Sequence, residues 1–401
     1  MLFLILTIPL SILAQERDSL FIKNGIDNPS LLSTHHFGIF SSRINTNFKH
    51  SPTNKKKLSF NYTSGNTFHP FLEVYYPENL EIRNQFSQTI WYARNFNFVN
   101  QETTPAEYLN MVFDAVIKEF RVNFSLPLNQ QQELTFRMRS YLITNGKHPF
   151  SIFTSDETIE WFHSNIAGGE DPFGRRYYGL NEVNFEYLDR NGNTLKLTNN
   201  DFFIGGIEVS HHFYPKLKIN ENRNVFLNFG SHLGLNTSTF NPSLDFGVSA
   251  NFIKNYTFKN QNQLDIGIGA NVLRKNLLTF KDDAIDLGNN LFLATFEGNI
   301  EYTKVTAKGN FHALGINYQT QTRYNKIAEA DYYHLRGKWQ EINGGWHNSI
   351  TTLYSSLSTW SLIYSYGRPN YKLSLFAKQD FKVNNAPDFQ TGINLKLPIL
   401  N

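Results

Sequence analysis

Between residues 243 and 252 the chain alternates strictly. Leu244, Phe246, Val248, Ala250 and Phe252 fall at even positions, with Asp245, Gly247, Ser249 and Asn251 between them. Side chains of a β-strand project to opposite faces in turn, so a period of two makes one face apolar and the other polar. The same pattern recurs in Leu264, Ile266, Ile268, Ala270 and Val272 against Asp265, Gly267, Gly269 and Asn271. Phe292, Ala294, Phe296, Ile300 and Tyr302 oppose Thr295, Glu297, Asn299 and Glu301. Phe120, Val122, Phe124 and Leu126 oppose Arg121, Asn123 and Ser125, and Leu134, Phe136 and Met138 oppose Glu133, Thr135, Arg137 and Arg139. Near the end, Ile393, Leu395 and Leu397 enclose Asn394 and Lys396. A chain built of such runs is committed to sheet, and its apolar faces must be covered by protein or by lipid.

Run length separates those two outcomes. Residues 202–214, 225–236, 264–275 and 291–304 form runs nearer the ~9–11 residues of a tilted membrane strand than the ~5–6 of a globular one. With 36 Phe and 20 Tyr the chain is rich in aromatics, yet its mean hydropathy is negative, as expected when apolar residues serve an outer surface and its rims. After the first residues no apolar run reaches the ~18 residues of a spanning helix. An open sheet edge in lipid would leave backbone groups unpaired, so the sheet must close on itself. The reading is an all-β protein, a closed antiparallel transmembrane β-barrel of about 12–14 strands, with a short helical insertion in a long loop.

Leu2–Leu13 is almost wholly apolar and is followed by Ala14 and a polar stretch, the pattern of a signal-peptide core and cleavage site. The expected organisation is a signal peptide over 1–14, a periplasmic or plug segment over 15–57, and an outer-membrane barrel over 58–401. Localisation in the outer membrane of a Gram-negative-type bacterium follows from that reading. Outer-membrane lipid and lipopolysaccharide are then the expected surroundings, and the barrel-assembly machinery the expected inserting partner. A net charge of +3 gives no case for nucleic acid. With no Cys there are neither disulfides nor thiolate metal sites, and no cofactor or metal is expected.

Turn chemistry punctuates the strands. Asn191-Gly192 marks a hairpin, and residues 220–223, 259–262 and 367–370 read as polar turns. Longer polar stretches near 144–181, 276–290 and 325–348 read as outer loops. Leu58–Tyr62 and Phe86–Val99 resemble strands, whereas Ala106–Ile117 is ambiguous because Thr104-Pro105-Ala106-Glu107 looks like a helix start. Thr154-Ser155-Asp156-Glu157 predicts a second capped helix, with Ile159, Phe162 and Ile166 on one face. That loop supplies Trp161, His163, Arg175 and Arg176 as candidate functional residues.

Several of these features occur together. Phe124-Ser125-Leu126-Pro127-Leu128 ends one strand and Glu133–Tyr141 forms the next; then come Phe150–Gly169 with Ile159-Glu160-Trp161-Phe162-His163, and Gly174-Arg175. With Gln101-Glu102-Thr103-Thr104 and Asn28-Pro29, this order resembles an uncharacterised family of bacterial outer-membrane barrels, labelled only as a domain of unknown function. The resemblance implies the barrel and carries no activity.

The polar faces nominate a lumen. Arg121, Glu133, Arg137, Arg139, Glu208, His212, Asp245, Asp265, Glu297 and Glu301 are its expected charged or titratable lining, with the two late glutamates facing Arg137 and Arg139. Mixed signs predict weak ion selectivity. His163-Ser164 and Ser210 with His212 are candidate serine–histidine pairs, and neither brings an orienting third group or an oxyanion site. His35-His36 and His211-His212 are poor metal sites because strand neighbours face opposite ways. The chain is therefore expected to be a channel or porin-like protein for small polar or amphipathic solutes, not an enzyme. The alternative is a non-conducting barrel with a structural or surface-interaction role, and a lipid-acting barrel hydrolase ranks below both.

Overall fold

The structure is a computed structural model that describes residues 23–33, 35–69, 111–147, 151, 153–167, 180–189, 192–281, 284–324, 356–380, 387 and 389–399. Fourteen strands form one antiparallel sheet. They are β1 (Lys57–His69), β2 (Met111–Asn129), β3 (Gln132–Thr144), β4 (Asn184–Leu188), β5 (Thr194–Leu197), β6 (Phe202–Phe213) and β7 (Val225–Asn236). The series continues with β8 (Ser243–Thr257), β9 (Gln263–Thr279), β10 (Phe292–Val305), β11 (Phe311–Gln321), β12 (Leu357–Arg368), β13 (Tyr371–Gln379) and β14 (Phe389–Pro398). β1 pairs with β14 on one side and β2 on the other, which closes the sheet. The barrel has 12 strands; the β4–β5 hairpin hangs from the first residues of β2 as an extension beyond the barrel wall.

The period-two pattern decides which way every side chain points. Phe246 and Val248 on β8, Ile268 and Val272 on β9, and Phe296 and Ile300 on β10 all lie outside and exposed. Their intervening neighbours Asp245, Asn251, Asp265, Asn271, Glu297 and Glu301 are buried inside. The outside is thus an apolar belt. Aromatics flank it at both ends, with Phe202, Phe280, Phe292 and Trp360 toward one rim and Tyr256, Phe258 and Tyr302 toward the other, all exposed. This is the girdle arrangement of a barrel that meets lipid.

The two rims differ. The β2–β3, β6–β7, β8–β9, β10–β11 and β12–β13 connections and both barrel termini lie at one rim, the short-turn rim, and the longest connections lie at the other. Residues 220–223, read as a polar turn, lie in a short helix (α2, Lys218–Arg223) closed by Asn224 in the left-handed region at φ 49°. Asn can adopt this conformation because its short side chain tolerates it. Met111–Ile117, ambiguous by sequence, is strand, because it continues the ladder of β2 onto β1 and β4. The predicted loop helix is present as α1 (Asp156–Phe162), with Ser155 accepting a hydrogen bond from the Thr158 amide. Its apolar face is narrower than expected: Ile159 is buried, whereas Phe162 and Ile166 are exposed, and a π turn over His163–Ala167 takes Ile166 off the α-helical spacing. The leader, Phe86–Val99 and Thr104–Glu107 lie outside the described residues.

A single glycine permits one sharp feature of the wall. Gly206, at φ 148°, sits where the β3–β6 register shifts between Arg139 and Ser140. A Cβ there would stand 2.2 Å from the Leu235 carbonyl oxygen, so only glycine allows this irregularity.

The outward belt makes a direct prediction. Val248→Arg, near the middle of β8, is expected to cost about 2–4 kcal/mol in urea unfolding from lipid vesicles. A cost below about 1 kcal/mol, the value for interfacial positions, would mean that this face does not meet hydrocarbon.

Candidate functional site

The lumen is occupied by the chain itself. Residues 23–33 run from the short-turn rim along the inside, a tip around the 3-10 turn His36–Phe40 lies under the long loops, and residues 41–53 return to enter β1. The two arms touch where the Ile26 amide donates to the Phe48 carbonyl at 3.0 Å.

The returning arm alternates like a strand. Its even residues seat on wall glycines: an added Cβ on Gly234 would meet Ser42, on Gly247 Ile44, on Gly269 Thr46, and on Gly267 both Phe48 and Ile26, all within 3 Å. Glycines on the polar face therefore form a groove into which Ile44 and Phe48 fit. The odd residues face the opposite wall. Arg43 pairs with Glu119 at 3.0 Å and donates to Ser30. Asn47 donates to the Tyr214 hydroxyl at 2.8 Å, and Lys49 pairs with Glu133 at 2.5 Å.

Arg43 enters a buried charge cluster at mid-height. Arg121 lies 3.3 Å from Glu119 and 3.4 Å from Glu208, and Arg139 lies 3.2 Å from Glu208. Tyr141 donates to Glu119 at 3.1 Å. Arg139 also donates to the Ile39 and Ser41 carbonyls at the hairpin tip. Three guanidinium groups and two carboxylates thus join wall to hairpin. The mutual attraction offsets a large desolvation cost only while every partner is present.

Further contacts run the length of the segment. Near the short-turn rim Lys23 contacts Asp27 and Glu301, Asp27 contacts Lys372, and His50 approaches Asp265 at 3.1 Å. Asn28 and Asn317 both donate to Glu297. Above the charge cluster, Ser42 donates to Asp245 through its amide at 2.8 Å and its hydroxyl at 2.7 Å. The tip is capped by rings. Phe37 meets Tyr187 of β4 at 4.9 Å, Phe40 stacks on Phe203 at 5.7 Å, and His35 stacks on Tyr324 at 4.2 Å. Burial pushes the Tyr324 phenol above its usual range.

The predicted lining residues are therefore found inside. Arg121, Glu133, Arg139, Glu208, His212, Asp245, Asp265, Glu297 and Glu301 are buried, and Arg137 is half-buried. One expectation is corrected. Glu297 and Glu301 do not face Arg137 and Arg139: they meet Asn28, Asn317, Lys23 and the Asp27 amide, while Arg139 meets Glu208 and Arg137 meets Ser210. β10 stands on another side of the barrel from β3, and the hairpin lies between them. Ser210, set aside on the sequence as a catalytic partner of His212, instead meets His232 on β7 at 2.7 Å. The other ring nitrogen of His232 meets Ser249 at 2.9 Å, so no carboxylate orients that imidazole. His35 and His36 sit in the tip, where the His35 ring nitrogen accepts from the Phe37 amide. In the outer loop Trp161 is exposed and His163 half-buried; Arg175 and Arg176 lie outside the described residues.

Sequence reasoning missed Arg43, Glu119, Lys23 and Asp27. Glu119 shares the parity of Arg121, so extending that alternation by one step would have found it. The alternation of Arg43, Asn45, Asn47 and Lys49 with Ile44, Thr46 and Phe48 was likewise present in the sequence.

A closed barrel with an apolar outside and a charged inside is the architecture of outer-membrane barrels. No protein-family model matches the chain, so the likeness of residues 100–180 to an uncharacterised family remains one of motifs, and no curated protein matches it. Solved structures do. An outer membrane channel from Pseudomonas putida F1 shares 8% identity at a TM-score of 0.40, covering 86% of this chain and 96% of its own. The NanC porin shares 9% identity at 0.36, covering 71% and 94%, and LpxR from Salmonella typhimurium 5% at 0.37, covering 86% and 100%.

Two substitutions probe the assembly. Glu119→Gln removes one partner of a buried cluster and is expected to cost about 3–5 kcal/mol in urea unfolding from vesicles; a loss below 1 kcal/mol, as for an exposed pair, would mean that water screens the cluster. Gly267→Val places methyl groups where Phe48 and Ile26 sit. It is expected to expose Lys49 to trypsin while the barrel keeps its heat-modifiable gel migration, and unchanged resistance at Lys49 would show that the groove is not needed for seating.

Proposed function

We propose that the protein is an outer-membrane barrel of the channel type, for small polar or amphipathic solutes, and that its own N-terminal hairpin is the gate. The short-turn rim, where the hairpin enters and leaves, is then periplasmic. Export through a cleaved leader and insertion by the barrel-assembly machinery belong to the same proposal. The observation that carries it is the chemistry of the hairpin's attachment. Apart from the seats of Ile26, Ile44 and Phe48 and the ring cap, it is held to a polar wall by ion pairs and hydrogen bonds. Water can replace such contacts one by one as the hairpin moves. A wall of alternating polar residues also remains solvated once the hairpin leaves, which an apolar lumen would not.

The alternative, a non-conducting barrel with a surface-interaction role, draws on the glycine groove, which fits the hairpin closely. The absence of cysteine from the chain makes the two readings separable. In the S42C/D245C variant, the thiols replace side chains in contact here and can be bridged by a short thiol-specific reagent. In planar bilayers the unbridged variant is expected to show voltage-dependent conductance steps, and bridging is expected to abolish them. Steps indifferent to bridging would refute gating by the hairpin, and silence of both the native and the unbridged chain would favour the non-conducting barrel.

A further inference from the structure

Between the hairpin and the wall formed by β1, β2, β3, β13 and β14, toward the short-turn rim, lies a cavity of about 130 Å³. Six cationic side chains line it, Lys23, Lys49, Lys57, Arg137, Lys372 and Lys396, against two carboxylates, Asp27 and Glu133. Those carboxylates are already engaged: Asp27 by Lys23 and Lys372, Glu133 by Lys49. Arg137 donates to the Ser210 hydroxyl. Among the described residues neither Arg137 nor Lys396 has a carboxylate within the 4.0 Å of an ion pair.

The register sharpens the imbalance. Lys372 and Lys396 stand directly opposite each other on β13 and β14. Like charges facing each other across two strands destabilise a sheet, and the confined lumen leaves less water to screen them. Lys396 is in turn opposite Ser59 on β1, and Asn394 and Asn123 add amide groups to the same cavity. Glu301 of the wall also meets Lys23, but the result is still a set of convergent donors in which cations outnumber carboxylates, with Arg137 and Lys396 left without an ion-pair partner among the described residues.

We propose that this cavity binds a small phosphate-like oxyanion. A dianion offsets more of the surplus than a monoanion, and lysines bind phosphate as point charges. The cavity's volume suits one such group, whether free in the periplasm or carried on a small solute. The inference uses the seated hairpin and does not require conduction, so it can fail while the channel reading stands, and the reverse.

The test is isothermal titration of the full-length folded protein in detergent, at constant ionic strength, with inorganic phosphate and separately with a phosphorylated hexose. Saturable binding of phosphate is expected, weakened about tenfold or more in Lys396→Gln, a loss of about 1.4 kcal/mol. Lys304→Gln, on the exposed face of β10, should bind as the native protein does. Binding of both probes would identify the phosphate group of a solute as ligand, and of phosphate alone the free ion. Arg137→Gln serves as the second variant if Lys396→Gln loses its heat-modifiable fold. Absence of saturable binding, or equal weakening in Lys304→Gln, would overturn the proposal.

Discussion

Everything in this molecule depends on closure of the sheet between β1 and β2. In hydrocarbon an unpaired backbone amide or carbonyl costs several kcal/mol, so a sheet with a free edge is not a stable solution. β1 pairs along its length with β14 and, in register, with β2. The ring that results has only two surfaces. The period of two then dictates that Phe246, Val248, Ile268 and Phe296 face out while Asp245, Asp265 and Glu297 face in, with no further choice open to the chain.

Closure creates the second problem, a polar interior wider than its own side chains. Here the space is filled by residues of the same chain rather than by larger wall residues. The wall supplies glycine at positions 234, 247, 267 and 269, and the hairpin supplies Ser42, Ile44, Thr46 and Phe48. On the other side the wall supplies Glu119, Glu133 and Glu208, and the hairpin supplies Arg43 and Lys49. Shape complementarity and charge complementarity thus fall on the two faces of one extended arm. An uncompensated charge in this interior would be costly, which ties the position of Arg43 to the carboxylates around it and the position of the whole hairpin to Arg43.

The fold was largely legible in advance because its signal is local. Residues 202–214, 225–236 and 291–304 read as long strands and are β6, β7 and β10 to within one residue at each end. Inward residues such as Arg121, Glu208 and Asp265 could be assigned from parity alone. Partners could not. Glu297 and Arg139 share a lumen, yet β10 and β3 lie on different sides of it, with residues 23–33 and 35–53 between them. Ser210 was read beside His212, its neighbour on the same strand face, but bonds to His232 on the adjoining strand, because the cross-strand neighbour in an antiparallel pair is nearer than the residue two along.

By itself the sequence determined the sheet, its two faces and the need for closure, since each follows from a repeat of two residues and from the length of the runs. Only the tertiary structure decided that residues 23–33 and 35–53 lie within the lumen, which wall glycines they rest on, and that Lys372, Lys396 and Arg137 converge on one cavity. Those relations join residues hundreds of positions apart. They depend on how strands far apart in the chain are brought together around the barrel, a quantity that no local pattern encodes.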